Sequence, residues 1–91
     1  MYHTYSMLLD DVDNTYWFVD AFHMIIEGKS SYRISVRNYR DAGYSAEKDV
    51  NKDVYDLLVH SIEYDIDNVL IVLSKEFSDA GINVKVADVG N

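Results

Sequence analysis

Between Ser45 and Ala80 the chain carries two interleaved periodicities, and any fold has to satisfy both. Asp49, Asp53, Asp56, His60, Glu63 and Asp67 recur at steps of 4, 3, 4, 3 and 4. Val50, Val54, Leu57, Leu58, Ile62, Ile66, Val69, Leu70, Leu73 and Phe77 repeat at the same interval, rotated to another side. At 3.6 residues per turn this pattern predicts a helix with a carboxylate column on one face and an apolar stripe on the other. The stripe requires a cover. A single helix over these 36 residues would reach about 54 Å, too long for so small a domain, so a break is expected near Tyr64 to Asn68. Asp65, Asp67 or Asn68 would cap the second helix, and Ser45 the first.

The remaining segments are read as cover for that stripe. Tyr2 to Leu9 alternates as a strand does. Asp13 or Asn14 would cap a helix from Tyr16, where Asp20, His23 and Glu27 share a face, ending at a Gly28 stop. Ser30 to Arg40 alternates again, with Tyr32, Ile34 and Val36 opposite Arg33, Ser35 and Arg37. Asp41-Ala42-Gly43 reads as a turn. Gly81 suits a helix stop, and Ile82, Val84 and Val86 alternate in a last strand. The expected fold is α+β, a three-stranded antiparallel sheet with helices packed on one face, in the order β-α-β-α-α-β and as a single domain over residues 1–91.

Sixteen acids against eight bases give a net charge of −8, which repels nucleic acid and anionic membranes. The bases gather: Lys29, Arg33, Arg37 and Arg40 lie in one segment that holds no acid before Asp41. The chain has no cysteine, so neither a disulfide nor a thiolate metal site is available. No basic region with an apolar core follows Met1, and the longest apolar run, Val69 to Leu73, is far short of a membrane span. These features predict a cytoplasmic protein that binds neither nucleic acid nor a membrane directly.

No nucleophile elbow, phosphate-binding glycine loop or histidine triad occurs, so no catalytic residue, metal or cofactor is assigned. Asp56, His60 and Glu63 fall on one helical face at metal-ligand spacing, but the sequence supplies no fourth ligand. Asp11-Val12-Asp13-Asn14-Thr15 begins like a calcium loop, yet Tyr16 and Phe22 stand where glycine and glutamate are needed. The acidic column is the main candidate site. Asp49, Asp53, Asp56, Glu63 and Asp67 would line up with His60 in a column whose members are spaced about 5 Å along the axis. Phosphates of one DNA strand are spaced about 3.4 Å, so such a row can occupy a basic groove built for them. The plainer alternative is the solvated face of an amphipathic helix. Arg33, Arg37 and Arg40 are assigned to a dimer or partner contact, or to ion pairs with the chain's own acids. Residues 32–40 are read as a sheet edge open to a second copy.

Short, cysteine-free, strongly acidic, tyrosine-rich domains of this style resemble phage counter-defence proteins, the DNA-mimic anti-restriction and anti-CRISPR types. Asp53-Val54-Tyr55-Asp56-Leu57-Leu58 through Ser78-Asp79-Ala80-Gly81-Ile82 is similar to the helical part of T7-type anti-restriction proteins, where acidic helices lead to a glycine and an extended segment. The basic segment 29–40 departs from that pattern. The helix–Ala80-Gly81–strand tail also resembles barstar-type ribonuclease inhibitors. Both resemblances imply a non-enzymatic inhibitor whose carboxylates occupy the basic surface of a nucleic-acid enzyme. They imply a host defence nuclease or CRISPR effector as partner, or alternatively a toxin nuclease. A small metal-binding module is the further alternative.

Overall fold

A computed structural model describes residues 2–10, 16–39 and 45–78. Four strands precede two helices: β1 (Tyr2–Asp10), β2 (Tyr16–Ile26), β3 (Lys29–Asn38), β4 (Ser45–Val50), α1 (Lys52–Tyr64) and α2 (Ile66–Glu76). The strands form one antiparallel sheet in the order β1-β2-β3-β4. The α+β class and the antiparallel sheet are therefore as expected. The strand number and the order are not: the sheet has four described strands and the order is β-β-β-β-α-α.

Two segments read as helix are strand. Residues 16–26 are rich in aromatic and β-branched side chains, which pack well on a pleated surface. Trp17, Val19 and Ala21 are buried on one face, while Phe18, Asp20, Phe22 and Met24 alternate with them on the other. With apolar residues on both faces, the spacing of Asp20, His23 and Glu27 mimicked a helical period. Gly28 does not stop a helix. Glu27 and Gly28 have φ of 53° and 80° and form a two-residue hairpin loop between Ile26 and Lys29, which pair. Positive φ at both central residues is what a type I′ turn requires, and its twist matches that of the strands.

The second correction falls on residues 45–50. Ala46, Lys48 and Val50 lie opposite Val36, Ile34 and Tyr32, while Ser45, Glu47 and Asp49 lie opposite Arg37, Ser35 and Arg33. Ser45 is thus a strand residue. The cap of α1 is Asn51, whose side chain accepts the Val54 N–H at 2.9 Å. The expected break between two helices is present. Asp65 closes α1 by donating its N–H to the Ser61 carbonyl and caps α2 by accepting from the Asn68 N–H.

The helices cover the face formed by Trp17, Val19, Ala21, Ile34 and Val36. Tyr55 and Leu58 of α1 and Val69, Leu70, Val72 and Leu73 of α2 complete the core, with Phe77 beyond the end of α2. Lys48 reaches from β4 to the end of α2, where its Nζ lies 3.2 Å from the Glu76 carboxylate and 3.5 Å from the Glu76 carbonyl. A cation at a helix C-terminus is favoured by the helix dipole. No described helix is long and apolar enough to cross a membrane. The expected last strand at Ile82–Val86, the Gly81 stop, the Asp41-Ala42-Gly43 turn and the Asp13 or Asn14 cap lie outside the described residues, as does Arg40.

Candidate protein-binding surface

The acidic column is divided among three elements. Asp49 belongs to β4, on the face away from the helices, and Arg33 Nε donates to its Oδ1 at 2.8 Å. Arg33 also lies 3.6 Å from Glu47. The register explains both pairs, since Arg33 and Asp49 are direct cross-strand neighbours and Glu47 is two residues along. Asp53, Asp56, His60 and Glu63 share the exposed face of α1, opposite Tyr55, Leu58 and Ser61. Asp67 sits one helix further on, in the first turn of α2. The continuous row thus shrinks to Asp53, Asp56 and Glu63.

Local chemistry accounts for some of these acids. Asp53 lies in the first turn of α1 and Asp67 in the first turn of α2, where the helix dipole favours negative charge. Asp56 pairs with Lys52 one turn earlier, and that hydrogen bond raises the lysine pKa. Glu63 has no such role. It occupies the last turn of α1, where the dipole disfavours a carboxylate and no basic residue is present. Among the described residues Asp53, Glu63 and Asp67 form no ion pair.

Between the carboxylates the same face carries apolar and aromatic groups, which the sequence reading missed by assigning Leu57 to the buried stripe. Leu57 is 47% exposed and Tyr64 74%. The His60 ring packs 4.9 Å from that of Tyr64. Leu57 and Tyr64 are one heptad apart, so both could have been placed beside the column by helical period. Asp56, His60 and Glu63 do not form a cation site: among the described residues no group of three His, Asp or Glu side chains is placed to hold a metal.

The basic segment is also redistributed. β3 pairs with β2 on one side and β4 on the other, so it is an interior strand and offers no edge to a second copy. Arg33 is engaged by Glu47 and Asp49, the intramolecular pairing that was one of its expected roles. Arg37 stacks over Phe18, with its guanidinium carbon 4.7 Å from the ring centroid. Tyr39 packs on Phe18 at 5.6 Å and on Tyr16 at 6.2 Å.

On the covered face a second aromatic group stands where α1 begins. Tyr32 stacks on His23 at 4.7 Å and meets Tyr55 at 4.9 Å, and His23 Nε2 lies 3.0 Å from Ser30 Oγ. Burial raises the pKa of Tyr55. Its 6% exposure marks it as a core residue.

No family model matches the chain, and neither a curated protein nor a solved structure matches it.

Proposed function

We propose that this protein is a non-enzymatic inhibitor that lays the outer face of α1 against the basic, nucleic-acid-binding surface of a host defence nuclease or CRISPR effector. The observation that carries the reading is Glu63, an exposed carboxylate in the last turn of α1 that forms no ion pair among the described residues. It lies in line with Asp53 and Asp56 over roughly 15 Å of helix. The net charge of −8 supports the reading by steering association with a cationic surface. Leu57 and Tyr64 add apolar area among the acids, and tyrosine is enriched among residues that dominate binding energy. Asp67 extends the charge toward α2. Asp49 does not contribute, because Arg33 neutralises it on the opposite face of the sheet.

The test is affinity capture from bacterial lysate, comparing the wild type with the combined Asp53→Asn, Asp56→Asn and Glu63→Gln variant. The expected result is a nucleic-acid-binding protein or complex that elutes from the wild type with rising salt and is not retained by the variant. Identical captured proteins for the two forms, or retention indifferent to salt, would exclude the acidic face as the binding surface.

A further inference from the structure

The two edges of the sheet are built differently. β4 is short, six residues, and carries Glu47, Lys48 and Asp49 in succession. Charges along an edge discourage pairing with another chain. Self-pairing of β4 about Glu47 or Lys48 would also set like charges opposite each other. β1 has none of these protections. It is nine residues long, and its first eight, Tyr2 to Leu9, include no Asp, Glu, Lys, Arg or Pro. Its register with β2 runs without a bulge from Tyr2 opposite Met24 to Asp10 opposite Tyr16. The principal contacts of α1 with the sheet are on β2 and β3, and β1 reaches the core through Met7. Among the described residues its outer row of backbone N–H and C=O groups has no partner strand.

We propose that β1 is a dimerisation edge, pairing antiparallel with β1 of a second copy about a two-fold axis through Ser6. The occupant is a second copy because the strand is self-complementary in that register. Tyr5 falls opposite Met7, Thr4 opposite Leu8, and Asp10, the one charged residue, opposite Tyr2. No two like charges meet. Tyr5 and Leu8, 37% and 53% exposed, each gain a cross-strand neighbour. Directly opposite residues share a face of the sheet. A two-fold through Ser6 therefore puts the helices of both copies on one side of a continuous eight-stranded sheet. The acidic faces of the two α1 helices would then be displayed together.

Cysteine cross-linking combined with sedimentation tests the assignment. The chain has no cysteine, so Ser6→Cys introduces one thiol at the axis, and Ser31→Cys places a control on interior strand β3. Opposed Cα atoms at the axis would be about 4.5–5.5 Å apart, within the disulfide range of about 4.4–6.8 Å. The wild type is expected to sediment as a dimer at tens of micromolar. Ser6→Cys should form a disulfide-linked dimer under mild oxidation while Ser31→Cys does not. Ser6→Lys sets two cations against each other at the axis but keeps Asp20, which accepts the Ser6 hydroxyl hydrogen bond, as a partner within the fold. It should halve the sedimenting mass with unchanged circular dichroism. A monomeric wild type overturns the proposal, whether the edge is then covered by the chain's own residues or left free. So does a dimer that survives Ser6→Lys or that Ser6→Cys fails to cross-link.

Discussion

Asn68 Nδ2 donates to Ser61 Oγ at 2.7 Å, and the same hydroxyl donates to the Leu57 carbonyl at 2.7 Å. Ser61 is the one buried polar residue among those described, 1% exposed. Through it, the first turn of α2 is tied to the inner face of α1. The corner between the helices is set by this bond together with the two caps that Asp65 provides.

Removing the hydroxyl leaves the Asn68 amide without that acceptor. Ser61→Ala should lower the unfolding free energy by about 1–3 kcal/mol, the cost of a buried polar group that loses its partner. Asn68→Ala should cost a similar amount, and the double variant less than the sum, with a coupling of about 0.5 kcal/mol or more. Urea unfolding of the four proteins measures this. Strict additivity would show that the two side chains act independently.

The start of α1 is set by Asn51, so Asn51→Ala should cost about 1 kcal/mol, the usual loss at an N-cap. Ser45→Ala, at an exposed position of β4, should change stability by no more than about 0.5 kcal/mol. The comparison separates a helix that begins at Lys52 from one that begins near Ser45. Equal effects, or a larger one at Ser45, would contradict the observed boundary.

That boundary also shows what the sequence made legible. The period of Val54 to Phe77 marked the helical region, and its length together with the possible caps Asp65, Asp67 and Asn68 placed the break near Tyr64 to Asn68, because amphipathic faces and caps are local signals. Of the three, Asp65 is the cap. The class followed from the alternation of Tyr2 to Leu9 and Ser30 to Arg40. The error at 16–26 has a different origin. A strand flanked on both sides and apolar on both faces loses the two-residue alternation, and the choice between strand and helix is then made by pairing with distant residues. Asp49 fell into step with Asp53 by coincidence of spacing, and only the β3–β4 register assigns it to Arg33. The candidate face was legible in its charges, Asp53, Asp56 and Glu63, and not in its apolar members. Leu57 is apolar like a core residue, and only its helical position, one heptad before Tyr64 and away from Leu58 and Ser61, marks it as exposed.

Alkaline pH probes the junction of α1 with the sheet. Burial raises the Tyr55 pKa above the ordinary value of 10.0, so the folded state favours the neutral phenol more strongly than the unfolded chain does. The stabilisation is fully present below the unfolded pKa and is lost as pH rises through the folded one. Stability of the wild type should therefore fall as pH climbs beyond about 10. Tyr55→Phe should reduce that slope. Urea midpoints at neutral pH and above the tyrosine pKa read the difference. Parallel losses in both proteins would assign the alkaline sensitivity to other groups.

The sharpest partner-free prediction concerns Glu63. Neutralising a carboxylate in the last turn of a helix removes an unfavourable interaction with the dipole, so Glu63→Gln should stabilise the protein by about 0.3–1 kcal/mol. Asp53→Asn, in the first turn of α1, should destabilise it by a comparable amount. Each substitution removes one negative charge from a chain of net charge −8, so general relief of repulsion is shared and the difference in sign reports helix position. Thermal unfolding at low ionic strength measures both, and added salt should shrink both effects. Stabilisation by Glu63→Gln would show that the carboxylate does not serve the fold, which supports assigning it to a partner. Destabilisation by Glu63→Gln would show that the residue serves α1 itself, and the assignment of the acidic face would lose its main support.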